Sequence, residues 1–357
     1  MMLYMPTIVY SERDCVKNHR KDIAMIGKKA MIITGKHSSR ANGSLGDVIN
    51  VLKEENIDYI IFDDIEENPS IETVMKARDI GVNEKVDFVI GIGGGSPLDA
   101  SKAIAMMIAN SDKDESVLYE SVKLNSLPVV TIPTTAGTGS EVTPYAILTI
   151  HAKRTKKSIS HRIYPVMALL DSKYLKTQKK ETLINTAVDA LAHCVESYLN
   201  TNSNSLNRIY SEKGLRLFGE VKGALMKYEI TDEVYDKLLD MAMIAGIAIT
   251  HTATSLPHGL SYAVTYELGV PHGKAVGMFL GGYVENYKDK SDVSNVLDML
   301  GFSTAAEFRK YLNELIGTVE VPEDIMDRNV EALLSNKAKL KNYPFEITED
   351  ELKNMAN

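Results

Sequence analysis

The chain has 357 residues, 44% of them hydrophobic and 25% charged, with a formal net charge of -8 at pH 7. Two domains with sizeable cores fit that length, while the negative charge disfavours nucleic acid and acidic membranes, whose phosphates would be repelled. No apolar run reaches the roughly 18 residues of a membrane span, no basic-then-apolar leader opens the chain, and the only cysteines, Cys15 and Cys194, suit a reducing cytoplasm better than a disulfide framework.

In chain order, AMIITG (30–35) is a predicted strand, followed by a helix near 43–56 with Leu45, Val48, Ile49 and Leu52 at helical spacing. DYIIFD (58–63) is the next strand, and the helix over 69–81 has Pro near its start and Gly at its end. The strand VDFVIGIGGG (86–95) runs into glycines and a helix over 96–110; LPVVTIPT (127–134) and VMALLD (166–171) are further strands, with a β-ribbon suggested over 142–150. Strand–helix alternation with nearly continuous apolar strands predicts a parallel sheet with helices on both faces. From about 178 the pattern turns helical: 181–199, 205–227, 231–250, 272–287, 304–315 and 322–336. The expected organisation is an α/β domain over 1–178 and an all-α domain over 179–357, divided near the charged KTQKK link, with a ligand expected in a cleft between the halves.

Three stretches carry chemistry. GIGGGSPLDASKA (91–103) joins a strand to a helix, where glycines admit a phosphate and free N–H groups receive it. Ser96 is the expected cap of that helix, with Pro97 at its first position and Asp99 in its first turn. The stretch lacks the Gly-Lys-Ser/Thr of a P-loop and the usual GxGxxG spacing; a tight turn without a ligand has the same appearance. IPTTAGTGSEVTP (132–144) offers Thr134, Thr135, Thr138 and Ser140 as hydrogen-bonding groups at the same sheet edge. Finally, Asp189 and His193 stand four apart on one helix face, and His258 and His272 each precede a glycine. One carboxylate and three imidazoles suit Fe²⁺, Zn²⁺ or Mn²⁺ better than Ca²⁺ or Mg²⁺, although Asp and His four apart also make an ordinary ion pair. Cys194 is rotated about 100° from His193, away from that face. His251 reads as structural.

GGGSPLDASKA, PTTAGTGSEVTPY, DALAH and HGLSY…PHGKA, in this order, resemble the iron-containing (group III) alcohol dehydrogenase family, in particular its short NADP-using bacterial branch, over nearly the whole chain. The resemblance implies a nucleotide-binding α/β domain, an all-helical metal domain, and a cytoplasmic, commonly dimeric oxidoreductase. Its activity would be hydride transfer between NAD(P)(H) and a small alcohol or aldehyde. Carried over, the metal ligands are Asp189, His193, His258 and His272, binding Fe²⁺ with Zn²⁺ as the alternative. Gly93, Gly94, Gly95 and Ser96 fall on the pyrophosphate turn, Asp99 opens its helix, Thr134, Thr135 and Thr138 fall on the second cofactor loop, and Asn68 and Lys156 match less securely placed cofactor contacts.

Two departures matter. Gly35, in ITGKHSSR (33–40), replaces the Asp of NAD-preferring members, and Lys36, Ser38, Ser39 and Arg40 are positioned to receive a 2′-phosphate, so NADP(H) is expected over NAD(H). Tyr262 replaces a second His of several relatives, so a proton-relay role does not transfer; Tyr262 either lines the pocket or supplies a proton itself. The rival readings are a Zn-dependent polyol dehydrogenase or hydroxyacid–oxoacid transhydrogenase on the same fold, and a non-catalytic metal or nucleotide sensor.

Overall fold

The computed structural model describes residues 3–153 and 155–356. They form two compact units: residues 5–135 with 139–178, and residues 3–4 and 136–138 with the chain from 179 onward.

The first unit is built on eight strands: β1 (Ile8–Ser11), β2 (Lys29–Thr34), β3 (Asp58–Phe62), β4 (Phe88–Gly93), β5 (Val129–Pro133), β6 (Ile147–Ile150), β7 (Thr155–Ser158) and β8 (Met167–Leu170). Six make a sheet in the order β1-β8-β5-β4-β2-β3, parallel at every pairing. Strand alternation divides the core between the two faces. Met31, Ile33 and Val89 pack with the Gly95–Ala109 helix on one side. Ile32, Ile90 and Ile92 pack with the Ser44–Glu54 helix on the other. Between β2 and β4 the chain changes direction across the sheet: β2 leads outward to β3, and β4 returns on its other flank. Ligands of open parallel sheets bind at the carboxyl ends of strands beside such a switch. Gly91 lets the Gly95–Ala109 helix lie close on β4, because a Cβ there would come within 2.6 Å of Ser101 Oγ.

The second unit is helical. Its Lys180–Tyr198 helix is buried along nearly its whole length, packed by Arg208–Lys227, Asp232–Thr252 and His272–Asn286. The Asp232–Thr252 and Leu256–Leu268 helices meet at a 110° bend. No single helix among the described residues is long and apolar enough to cross a membrane.

The parallel sheet and helical second half are as the sequence predicts, and β6 and β7 pair antiparallel as the suggested ribbon. Several elements escape the periodicity reading, three of them instructively. β1 is short and half-exposed at the sheet edge. Leu256–Leu268 is apolar on most sides and carries a proline in its first turn. Lys290–Leu300 begins only three residues after the preceding helix ends at Asn286.

Candidate metal centre and nucleotide turn

The helical unit collects Asp189, His193, His258 and His272 at one point. Asp189 and His193 share a face of the Lys180–Tyr198 helix, His258 lies in the first turn of Leu256–Leu268, and His272 begins His272–Asn286. Asp189 Oδ1 stands 3.3 Å from His258 Nε2, 3.7 Å from His272 Nε2 and 3.8 Å from His193 Nε2. These separations exceed the 2.7–2.9 Å of a good charge-assisted hydrogen bond. They match the edge, about 3.4 Å, of a tetrahedron with ligand bonds of about 2.1 Å. Ligand atoms of Asp189, His258 and His272 all lie within 4.8 Å of one another; His193 stands just outside this set, its ring stacked on that of His258 at 4.5 Å. The donor set fits Fe²⁺ or Zn²⁺ by chemistry as well as spacing.

Electrostatics agree with a cation site. Burial alone would raise the Asp189 carboxyl, but the three imidazoles outweigh it and hold the group ionised. Burial pushes His193 down to about 4, leaving the neutral ring that a metal requires. Burial also opposes charge on His258, yet Glu196 and Asp189 prevail and raise it to about 9. Those two carboxylates are both inside the protein.

Glu196 is the residue that motif reading missed. It is fully buried and accepts hydrogen bonds from the Ser255 and His258 amides, each at 3.1 Å, and from His258 Nδ1. The signal was present: Glu196 is seven residues beyond Asp189, two helical turns along the same face. Just before His258, Ala253 has φ 61° and ψ 178°, a region occupied almost only by glycine. Tyr262 lies parallel to the His272 ring at 6.0 Å, with Lys339 Nζ 5.9 Å from the tyrosine ring centre. His251 is tied to Ile247 O at 2.8 Å and accepts from the Tyr4 amide, a structural role. Cys194 is buried against Gly214, off the ligand face.

In the α/β unit, Gly93 at the end of β4 has φ 152°, and a Cβ there would meet Pro97 at 2.6 Å. The helix begins at Gly95 after an extended Gly94, one residue earlier than the sequence suggests. Ser96 is therefore not its cap. Its hydroxyl instead accepts from the Asn68 amide at 3.0 Å, and Lys156 Nζ reaches Asn68 Oδ1 at 2.6 Å, so the turn, Asn68 and Lys156 come together. On the second loop, Thr134 donates its amide to Gly93 O at 2.8 Å, and Thr135 lies against Gly94. Thr138 belongs with the helical unit, as does Gly137, which packs on Thr186.

Asp99 and Ser140 face inward. Ser140 donates to Asp99, which also accepts from the Ile147 amide at 2.9 Å. The fully buried Lys102 donates to Ser140 Oγ at 2.7 Å and Tyr145 O at 2.8 Å, 3.6 Å from Asp99. Burial brings Lys102 down to about 8 and pushes the nearby Glu141 up to about 7. These residues bind helix, loop and ribbon to one another.

At the tip of β2, a Cβ on Gly35 would stand 3.3 Å from Ile65 O. Lys36 pairs with Asp64 at 3.2 Å and Arg40 with Asp63 at 2.7 Å, both at the surface beside the exposed Ser38. Ser39 differs from the expectation: it is fully buried, its hydroxyl accepting from Thr34 Oγ1 at 2.8 Å, because its short helix turns that side chain into the core.

Residues 6–172 match the family model for iron-containing alcohol dehydrogenase, and residues 183–344 match the model for the C-terminal part of the Fe-containing alcohol dehydrogenase family. The chain is 27% identical to an NADPH-dependent butanol dehydrogenase of Clostridium saccharobutylicum, over 75% of this chain and 69% of the relative. It is 29% identical to an NAD-dependent methanol dehydrogenase of Bacillus methanolicus, over 76% of this chain and 71% of the relative. The crystal structure of an iron-containing alcohol dehydrogenase from Thermotoga maritima superposes with a TM-score of 0.91 at 38% identity, covering 99% of this chain and 98% of that one.

Proposed function

The chain belongs to the iron-containing alcohol dehydrogenase family and is an alcohol dehydrogenase; from that premise we propose that it is an NADP(H)-preferring, Fe²⁺-dependent enzyme acting on small alcohols and aldehydes through Asp189, His193, His258 and His272. The observation that carries this reading is the convergence of three imidazole nitrogens on Asp189 Oδ1 at 3.3–3.8 Å.

A divalent cation held there supplies Lewis acidity toward the substrate oxygen, and the nicotinamide supplies the hydride carrier. The chain's own residues do the remaining work. Asp189 brings negative charge and the imidazoles bring neutral donors, while burial of three of the four keeps water from competing for the ion. The stacked ring of Tyr262 fixes the plane of His272, the most exposed of the four. In the α/β unit, Gly93, Gly94 and Gly95 leave backbone N–H groups open to a pyrophosphate, with Ser96, Asn68 and Lys156 beside them. Thr134 and Thr135 are assigned to the same cofactor.

The NADP(H) preference rests on Gly35, where no acid repels a 2′-phosphate, and on the exposed Lys36, Ser38 and Arg40. Such a phosphate competes with Asp63 and Asp64 for the two cations. The Clostridium saccharobutylicum relative is NADPH-dependent and the Bacillus methanolicus relative NAD-dependent. A homodimer is part of the same reading, supported by the exposed edge strand β1.

The test is elemental analysis of anaerobically purified protein together with kcat/KM for short aldehydes and alcohols with each cofactor. Iron retention and a higher kcat/KM with NADP(H) are expected. Turnover faster with NAD(H), unchanged in Gly35→Asp, would overturn the cofactor assignment, and full activity in iron- and zinc-free protein would overturn the metal assignment.

A further inference from the structure

The sharp elbow that delivers His258 is held from within the protein. The Asp232–Thr252 and Leu256–Leu268 helices meet at 110°, through an Ala253 in a backbone region that side chains disfavour. Such a conformation persists where its surroundings over-determine it. Here Asn200 Nδ2 donates to Ala253 O at 3.3 Å, Asn342 Nδ2 donates to Thr254 O at 2.8 Å, and Lys339 donates to Thr254 Oγ1. Glu196 completes the grip. One of its oxygens, Oε1, accepts from the Ser255 and His258 amides, which are unsatisfied donors at the start of the new helix. The other, Oε2, accepts from His258 Nδ1.

The second contact has a chemical consequence. A neutral histidine whose Nδ1 donates to a carboxylate presents a bare Nε2, the form that ligates a metal, with its ring plane fixed. In His258 it is Nε2 that turns toward Asp189. Asp189 and Glu196 lie on one stripe of one helix and bracket the imidazole between them. Lys339, reaching in from the C-terminal region, supplies positive charge near Glu196.

We propose that Glu196 is a positioning residue: it caps the Leu256–Leu268 helix and fixes the tautomer and direction of His258, so that cation affinity at Asp189, His193, His258 and His272 depends on a carboxylate that does not touch the ion. This inference rests on the ligand assignment made above.

The experiment uses the full chain stripped of metal and titrated with Zn²⁺ against a chromophoric chelator, with the melting temperature of the metal-free protein recorded alongside. In Glu196→Gln the amide oxygen can still accept the two backbone bonds, but the acceptor for His258 Nδ1 and the charge are lost. The expected result is a Zn²⁺ Kd weakened about 10–100-fold, with the metal-free melting temperature little changed. Glu196→Asp keeps the charge on a shorter stem and is expected to fall between Glu196→Gln and the wild type; it serves equally should the Gln variant fail to fold. A Kd within about twofold of wild type, even alongside a lowered melting temperature, is the signature of a merely structural contact and overturns the inference. His258→Ala separates the two layers. Wild-type Zn²⁺ affinity in that variant overturns the ligand assignment and this inference together, whereas wild-type affinity confined to the Glu196 variants overturns the inference alone.

Discussion

Each unit sets two inward-facing carboxylates beside a buried base, and the two pairs are compensated in different ways. In the α/β unit, Asp99 and Glu141 stand near a single buried amine, that of Lys102, which is already hydrogen-bonded to Ser140 and Tyr145. In the helical unit, Asp189 and Glu196 face imidazoles, whose ring nitrogens are metal ligands once a proton is given up. The first cluster is complete as synthesised and serves to join elements. The second keeps its charge balance adjustable, which is what a site needs if it is to receive a cation from solution. Buried carboxylates therefore say little by themselves; the identity of the neighbouring base distinguishes a brace from a binding site.

The comparison can be broken most severely at Asp189. Asp189→Ala removes the carboxylate oxygen on which three imidazole Nε2 atoms converge. Loss of bound metal and a fall in kcat/KM of about 10³-fold or more are expected, equivalent to several kcal/mol of Lewis-acid stabilisation. Metal analysis and steady-state kinetics check it, while nucleotide binding should persist. Lys102→Met tests the opposite cluster: it strands Asp99 and Glu141 without their cation and should cost about 3–5 kcal/mol of stability, read by urea unfolding, with metal content unaltered.

Glu141→Gln sharpens the contrast through pH. Burial raises the Glu141 carboxyl from 4.5 to about 7 in the folded protein, so between these values the folded state takes up a proton that the unfolded state does not bind. Stability contributed by the neutral acid is complete below 4.5 and lost as pH rises through 7. The Gln variant should thus be more stable than wild type at pH 8, by at most about 3 kcal/mol. That advantage should disappear by about pH 4, as unfolding curves at the two pH values would reveal. The smallest effect is expected at Ala253. Glycine there relieves strain of order 1–3 kcal/mol and costs about 0.5–1 kcal/mol in unfolded-chain entropy. A net gain near 1 kcal/mol in unfolding free energy is expected, with Zn²⁺ affinity unchanged; destabilisation would show that the elbow is not strained.

Much of this was open to inspection in the linear sequence. The α/β unit is read from alternating periodicities and from glycines after β4, because a phosphate-binding turn is made of backbone, and backbone freedom is written in glycine. Asp189 and His193 are legible as a pair because helical geometry alone sets them on one face. Ser39 departs from expectation because a hydroxyl's direction depends on how its turn sits on the core, and Ser96 is not the helix cap because the helix starts before it, at Gly95.

The local code thus specified which residues could form strands, helices, a glycine turn and one half of a metal site, since those features depend on neighbours a few positions away. Tertiary structure alone determined that His258 and His272 reach Asp189, that Glu196 backs His258, and that Ser140 and the Ile147 amide satisfy Asp99. Each of those outcomes joins helices, loops or strands separated by tens of residues. A buried charge finds its partner through packing of whole elements, and no spacing along the chain encodes that.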